Sequence, residues 1–256
     1  MALPGGLGSG GHVVRVGDTV RRPVLDHTPA VDAFLAHLAA LGFDGAPRPL
    51  GRDARGRSVL SWVDGDVALP PFPPWAASEH LLVSVAELQG RMHGAARSFV
   101  APAELTWSRP NLPPAGPGDI VCHNDLCIEN VIVRDGRAAA FIDFDFAAPT
   151  DPLLDIAIAC RHWVPFKDPA DITDGFAGVD QHARFRSFCD AHGLDADQRA
   201  AVIAHALEFL DRALVTMKAK ADSGLPMYQA VWNNGYPDQN RRSHAWLSTH
   251  LQGAPS

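Results

Sequence analysis

Residues 121–147, VCHNDLCIENVIVRDGRAAAFIDFDFA, decide the fold of this chain. Two apolar runs within them, 131–133 and 138–142, predict short β-strands. The dipeptide Asp135-Gly136 between the runs is typical of a two-residue hairpin turn. The stretch is therefore predicted to form a β-hairpin, and a hairpin brings the residues before its first strand close to those after its second.

Three polar side chains flank this hairpin. Asp125 and Asn130 lie on the segment that enters it, and Asp143 lies where it ends. We therefore expect two carboxylates and one amide to converge at one edge of the hairpin. Oxygen ligands of this kind suit a hard cation such as Mg²⁺, and a carboxylate beside it can act on a reacting hydroxyl group.

The bulk properties describe an ordinary soluble protein. The chain has 256 residues, 46% hydrophobic and 20% charged, with a formal net charge of −7. This acidic balance argues against nucleic acid as a partner, which favours a basic face. No apolar run is long enough to span a membrane, and the N-terminus lacks the features of a signal peptide. The four cysteines form no CxxC pair, so we expect reduced thiols in a cytoplasmic protein that binds no membrane.

A glycine-rich segment, PGGLGSGG at 4–11, precedes two short β-like runs at 13–16 and 19–22. Gly17-Asp18 between the runs is a second hairpin signal. One interpretation is a loop whose bare backbone covers nucleotide phosphates, with Gly8, Gly10 and Gly11 as the contacting residues. The other interpretation is an N-terminal tail without a binding role.

Arg21 and Arg22 end the second of these runs. A guanidinium projecting from this strand could reach the phosphates of a nucleotide. Because side chains alternate along a strand, at most one of the two points into a cleft, and we favour Arg21. The alternative is a solvated basic pair on an edge strand.

The pattern along the chain predicts a small β-rich lobe, residues 1–66, followed by a larger helical lobe, residues 67–256. The proline cluster LPPFPPW at 69–75 follows the boundary between them. Apolar periodicity predicts helices at 29–41, 78–99, 180–192 and 196–220, and a further helix that starts at 152. Strands are predicted at 47–51 and 57–63. Residues 101–119 are predicted to form an irregular connection.

These elements resemble the aminoglycoside phosphotransferase family of small-molecule kinases, which have a protein-kinase-like fold. HNDLCIEN at 123–130 fits the H-x-D-x-x-x-x-N catalytic loop. Asp143, 13 residues after Asn130, fits the metal-binding aspartate of the I-D-[FW] element. Asp155, in DPLLDIA, fits the D-P-x-x-D-[LI]-A pattern that follows. The resemblance implies an α+β fold of two lobes, a small antiparallel sheet with one helix and a mainly helical catalytic lobe.

The family implies a function and its site residues. The chain would transfer the γ-phosphoryl group of ATP or GTP to a hydroxyl of a small molecule, such as an aminoglycoside or another cationic compound. Asn130 and Asp143 would hold Mg²⁺, and Asp125 would accept or orient the proton of the attacking hydroxyl. The remaining assignments are structural support for His123 and Asp155, and adenine contact for Ser61 and Trp62.

Asp145 is the residue whose role the sequence leaves open: it could touch the metal, bind a cationic substrate or face solvent. The acids suggesting a cationic acceptor are Asp145, Asp151, Asp190, Glu208 and Asp211. Acids on solvated helix faces are the alternative explanation. Sugar, choline-like and nucleoside-like acceptors also stay open.

Some features depart from the family pattern. The helix that should offer a glutamate to the phosphate-binding arginine has only Asp32, which has a shorter reach.

The alternative function is a catalytically inactive kinase-like protein that binds nucleotide or a partner. A phosphatase is a further alternative, because FIDFD at 141–145 resembles an hhDxD strand end, but Ala147 stands where that motif needs Thr or Val. A metal-dependent hydrolase built on His123 is disfavoured by the lack of paired histidine ligands.

Overall fold

The computed structural model describes residues 13–251. Their first part forms an antiparallel sheet of four strands in the order β1-β2-β4-β3. Helix α1 follows β2 and is the only helix before β3 in the described part of the chain. The bounds are β1 Val14–Val16, β2 Thr19–Arg22, α1 Thr28–Ala40, β3 Pro49–Arg52 and β4 Ser58–Ser61. The predicted hairpin around Gly17 is confirmed, since β1 pairs with β2 and Gly17 has a φ of 57°.

The stretch at 121–147 forms the hairpin that its sequence predicts. Strands β6, Val131–Arg134, and β7, Arg137–Phe141, pair in antiparallel register. Asp135 and Gly136 both have positive φ, 51° and 73°, as a type I′ turn requires. Two further strands enclose this hairpin along the chain: β5, Ile120–Cys122, pairs with β8, Ala148–Thr150. That pairing, which the sequence did not predict, draws together the segments just before and just after the polar residues.

Helices make up most of the rest of the described chain. They are α2 Glu79–Ala96, α3 Pro152–Trp163, α4 Gln181–His192, α5 Ala196–Asp222, α6 Pro226–Asn233 and α7 Tyr236–His250. Their ends are set by local chemistry: the Ser78 side chain caps α2, and Asp195 with Gln198 forms a capping box on α5. Within residues 13–251, no helix has the length and apolar character that crossing a membrane requires.

One hydrophobic core runs across the predicted lobe boundary. It includes Phe34 of α1, Leu82 of α2 and Phe144, all at most 1% exposed. The rings of Phe34 and Phe144 lie 6.4 Å apart. Because Phe144 follows Asp143 directly, packing on α1 fixes the chain where the polar residues converge. The predicted combination of a small antiparallel sheet with a larger helical part is thus confirmed, with a core shared by sheet and helices.

A close approach at Gly65 joins the linker after β4 to the β6–β7 hairpin. The backbone groups of Asp66 and Val133 exchange two hydrogen bonds of 2.8 Å. Gly65 has a φ of +144°, and a Cβ there would lie 2.4 Å from Ile132 Cγ2 and 2.7 Å from the Val133 carbonyl oxygen. Only glycine accepts both that backbone conformation and that contact. Gly65 therefore sets how closely the linker approaches the hairpin.

Candidate active site

Asn130 lies against Asp125 at the entrance of the hairpin. The Asn130 side-chain NH₂ donates to the Asp125 backbone carbonyl at 2.8 Å and to its carboxylate at 3.2 Å. Both donors of the amide are thereby used within the loop, and Asn130 is only 8% exposed. The amide oxygen, which cannot donate, receives no hydrogen bond from residues 13–251 and is left as an acceptor.

Asp143 enters the same space from the end of β7. It has φ 60° and ψ 63°, a left-handed conformation that Asp adopts more readily than most residues other than glycine. A hydrogen bond of 2.9 Å from the Ile142 amide to the Asn130 carbonyl holds the two segments together. Within residues 13–251, no group donates a hydrogen bond to the Asp143 carboxylate. A free carboxylate beside a free amide oxygen is a donor set that fits Mg²⁺.

The Asp125 carboxylate is chemically unusual. Burial raises its pKa from 3.8 to about 7, and the nearby charge of Asp143 adds to the rise, while Arg161 and the Asn130 hydrogen bond oppose it. A carboxyl group that binds a proton near neutral pH is suited to accept one from an attacking hydroxyl.

His123 supports the site from below. It is fully buried, and its Nε2 lies 3.0 Å from the Ile142 carbonyl, so the protonated Nε2 donates there. The ring packs 4.5 Å from the Phe144 ring. Burial lowers the pKa of His123, which keeps the imidazole neutral. Its contacts hold the residues that flank Asp143 and leave it no route to a substrate.

Asp155 fixes the loop that carries Asp125 from α3. This carboxylate is fully buried and accepts the Asn124 backbone N–H at 2.6 Å. It also lies 2.8 Å from Gln89 Nε2 and 2.7 Å from His93 Nε2, both on α2. Burial alone would raise the pKa of Asp155, yet hydrogen bonding and the charge of His93, together with Gln89, hold it below its usual value. The carboxylate is thus kept ionised by three donors.

Gln89 and His93 were missed when the sequence was analysed. They lie one turn apart on the same face of α2 as the buried Val85 and Met92. Two polar residues at such spacing within an apolar stripe must find partners inside the core, because a buried polar group without one is costly. That rule was the signal that could have identified them.

Arg21 and Arg22 point to opposite sides of β2, as alternation along a strand requires. Arg21 Nε lies 3.7 Å from Asp53 Oδ2. Arg22 Nη2 contacts Asp145 Oδ1, and its side chain is only 10% exposed. Burial lowers the pKa of Arg22, while the charge of Asp143 opposes that change. Arg22 is therefore the arginine that faces the polar cluster, although Arg21 was favoured from the sequence.

Asp145 and Asp32 each have a basic partner. Besides Arg22, His27 Nε2 lies 3.6 Å from Asp145 Oδ1. Asp32 on α1 pairs with Arg52 at 2.7 Å. The helix acid that was expected to pair with the phosphate-binding arginine is thus held by another arginine, and Asp145 takes the position beside Arg22.

The residues expected near adenine lie where the linker leaves the sheet. The Ser61 amide donates to the Arg48 carbonyl and the Trp62 amide to the Asp18 carbonyl, both at 2.9 Å. The Trp62 indole N–H bonds Asp64 at 2.6 Å, and the Arg15 guanidinium stacks 3.9 Å from the indole centroid. These contacts hold the linker in place. The glycines expected at the phosphates, Gly8, Gly10 and Gly11, lie outside the described residues.

Comparison with known proteins agrees with this geometry. The model of the phosphotransferase enzyme family matches residues 97–189, the segment that contains Asp125, Asn130, Asp143 and Asp155. This match confirms the family resemblance seen in the sequence. The trifolitoxin immunity protein of Rhizobium leguminosarum bv. trifolii is 28% identical, over 94% of this chain and 92% of that protein.

Two further similarities concern kinases. A homoserine kinase of Brucella anthropi is 29% identical over 58% of this chain, which covers 39% of that protein's length. The crystal structure of a choline/ethanolamine kinase family protein from Mesorhizobium loti superposes with a TM-score of 0.63, covering 96% of this chain and 91% of that one. At 15% identity, this second similarity establishes the shared fold alone.

Proposed function

We propose that this chain, which matches the phosphotransferase enzyme family over residues 97–189, is a small-molecule kinase that uses ATP or GTP. The observation that carries the proposal is the convergence of Asp125, Asn130 and Asp143 at one edge of the β6–β7 hairpin. Asp143 and the Asn130 amide oxygen are each left without a donor in the described structure, while Asp125 has a pKa of about 7. Two oxygen ligands for Mg²⁺ and one carboxylate base are the groups that phosphoryl transfer needs.

The residues divide the work of the reaction. Asn130 and Asp143 would hold Mg²⁺, which neutralises charge on the transferring phosphates. Asp125 orients the acceptor hydroxyl and takes its proton. As the hydroxyl oxygen forms its bond to the γ-phosphorus, the bond from that phosphorus to the bridging oxygen breaks, and the electron pair leaves with the nucleoside diphosphate. Asp155 positions Asp125 through the Asn124 N–H bond of 2.6 Å.

Arg22 is the arginine that we assign to the nucleotide phosphates. Its guanidinium contacts Asp145 beside the metal-binding acids, whereas Arg21 faces Asp53. A triphosphate entering this space is a stronger anion than one carboxylate, so Arg22 would exchange Asp145 for phosphate oxygens. This exchange gives Asp145 the role of holding Arg22 in the cleft when no nucleotide is present.

The acids that suggested a cationic acceptor all have partners in this structure. Asp145 contacts Arg22, and Asp151 caps α3 through the Leu153 amide. The other three pair with basic side chains: Asp190 with Arg199, Glu208 with Arg212 and Asp211 with His244. Because none of these five acids is unpaired, they give no reason to prefer an aminosugar, and we restrict the acceptor to a small hydroxylated molecule.

The alternative is a kinase-like protein that binds nucleotide or a partner without transfer. One observation favours it: the relative that is similar over 92% of its length is named as an immunity protein, and that name states no phosphoryl acceptor. The paired state of Arg22 and Asp145 is also compatible with a site that does not turn over.

Binding of Mg²⁺ with nucleotide tests the metal site. Wild-type protein with Mg²⁺ and ATP or GTP at about 100 times Kd should gain roughly 2.7 kcal/mol of stability, which raises Tm by roughly 5–10 °C. In Asp143→Ala the Mg²⁺-dependent part of this shift should vanish, because one of the two metal ligands is gone. Differential scanning fluorimetry with and without EDTA measures both.

The matched control is Asp238→Ala, since Asp238 has a side chain that is 72% exposed and lies outside the cluster. It should retain the full shift. An equal Mg²⁺-dependent shift in wild type and Asp143→Ala would contradict the assignment of Asp143.

A further inference from the structure

Basic side chains gather at the end of α3, and the charge of Asp125 acts on one of them, Arg161. Arg161 and His162 occupy the last turn of α3, and Lys167 follows that helix by four residues. The end of α3 is fixed to the catalytic loop, because the Trp163 indole N–H donates to the Leu126 carbonyl at 2.9 Å. The basic group and Asp125 are therefore held in one rigid arrangement.

Arg161 is oriented by stacking on an aromatic ring. Its guanidinium carbon lies 4.6 Å from the centroid of the Phe209 ring, and the residue is partly buried. Over residues 13–251, it forms neither a salt bridge nor a hydrogen bond. Stacking fixes the guanidinium plane and leaves its N–H edge available, and that edge matches the two oxygens of a carboxylate.

The charges that act on Arg161 relate it to the carboxylate that would orient the acceptor. Its electrostatic neighbours are the Asp125 carboxylate and the Tyr236 hydroxyl at the start of α7. Asp143 instead acts on Asp125 and on Arg22. Asp125 thus interacts with both Asp143 and Arg161. An acceptor whose hydroxyl reacts at Asp125 therefore binds in the electrostatic field of Arg161.

Lys167 adds a second positive charge there. Burial lowers its pKa and the charge of Arg161 lowers it further, while Asp171 and Glu129 oppose this change. Asp171 is itself held by Arg242 through two bonds of 2.9 and 2.6 Å, so it does not neutralise Lys167 fully. His162 stays neutral, since burial and the charge of Arg161 lower its pKa to about 3.

We propose that Arg161, assisted by Lys167, binds a carboxylate of the acceptor, so that the phosphorylated molecule is a hydroxy acid. Partly buried cations without a paired anion are costly, and a bound carboxylate removes that cost. The inference rests on the proposed kinase function and adds the chemical class of its acceptor. It replaces the cationic acceptor that the sequence suggested.

Three acceptors with carbon chains of the same length test which charge the acceptor site prefers: γ-hydroxybutyrate, butanediol and aminobutanol. Each offers a terminal hydroxyl, and the far end is an anion, a neutral group or a cation. Nucleoside diphosphate release should give γ-hydroxybutyrate the highest kcat/KM with the wild type. Arg161→Met should lower that kcat/KM by roughly tenfold to hundredfold, the size of a hydrogen bond to a charged group. Its kcat/KM for butanediol should fall less, since only the effect of Arg161 on the pKa of Asp125 is lost with that acceptor. Its affinity for Mg²⁺-nucleotide should stay unchanged.

Two variants act as comparisons. Arg199→Met removes a guanidinium that already pairs with Asp190, so it should leave the preference intact. Lys167→Met should weaken the preference less than Arg161→Met does, and it decides the question if Arg161→Met does not fold by circular dichroism.

Each outcome separates this inference from the proposed function. If wild-type protein binds Mg²⁺-nucleotide but γ-hydroxybutyrate is no better than butanediol, or aminobutanol is preferred, the carboxylate site is wrong while the kinase assignment stands. An unchanged preference in both Arg161→Met and Lys167→Met also overturns it. If Mg²⁺-nucleotide does not bind at all, the kinase function and this inference fall together.

Discussion

Asp125→Asn should greatly slow phosphoryl transfer and, in metal-free buffer at pH 8, make the protein more stable than the wild type. The folded-state pKa of Asp125 is about 7, above the ordinary value of 3.8, mainly because of burial. Ionising this carboxyl group therefore costs the folded state more than the unfolded one. The cost is absent below about pH 4, grows between about pH 4 and pH 7, and is complete above the folded pKa.

The size of the effect follows from the shift. A difference of about three pKa units corresponds to about 4 kcal/mol, so a gain of about 2–4 kcal/mol is expected for a side chain that does not titrate. Transfer should fall by a factor of roughly 10²–10⁴, the usual contribution of a positioned base. Urea unfolding with EDTA at pH 4 and pH 8 measures the stability, and diphosphate release with Mg²⁺ measures transfer.

Asp238→Asn serves as the control, because the side chain of Asp238 is 72% exposed. It should change neither stability nor transfer. An Asp125→Asn protein that is less stable than wild type at pH 8, or that still transfers phosphate at the wild-type rate, would contradict the description of Asp125 as a buried base.

Asp155→Asn is expected to give the largest loss of stability, about 3–5 kcal/mol at pH 7. The substitution keeps the shape of the side chain but removes the charge that compensates His93. In the wild type, Gln89 Nε2 and the Asn124 backbone N–H donate to the carboxylate oxygens at 2.8 and 2.6 Å. In the variant an NH₂ group replaces one of these oxygens, and an NH₂ group cannot accept either hydrogen bond. Breaking a buried charged network in this way leaves several groups unsatisfied.

Urea unfolding measures this loss, with Asp211→Asn as the matched variant. The Asp211 side chain is 71% exposed, so its replacement should stay within about 0.5 kcal/mol of wild type. A loss under about 1 kcal/mol for Asp155→Asn would show that the network is not needed to hold the loop that carries Asp125.

The sequence predicted those parts of the fold that depend on local chemistry. Asp135-Gly136 predicted its hairpin because a type I′ turn needs residues that tolerate positive φ. The β5–β8 pairing was missed because each strand has only three residues, too few to show a period, and they pair across 25 intervening residues. That pairing depends on the packed core rather than on a local pattern.

The site residues, like the fold, were predicted where local sequence determines them and missed where the packed structure does. The spacing of Asp125, Asn130 and Asp143 around one hairpin was enough to predict their convergence. Alternation along β2 predicted that only one of Arg21 and Arg22 faces the cleft. Which one it is depends on how the sheet packs on its neighbours, and this is a property of the assembled structure. Arg161 was not identified because its importance lies in a contact with Phe209, 48 residues further along the chain.

Transfer of a labelled γ-phosphoryl group tests the central claim most directly. Wild-type protein with Mg²⁺ and γ-labelled ATP or GTP would be screened against hydroxylated small molecules, with Asp125→Asn in parallel. The account predicts that label moves to an acceptor hydroxyl in step with diphosphate release, and that Asp125→Asn binds nucleotide without moving it. Tight Mg²⁺-dependent nucleotide binding with all label retained in the nucleotide, across hydroxy acids and every other acceptor class, would contradict the account and favour a binding protein.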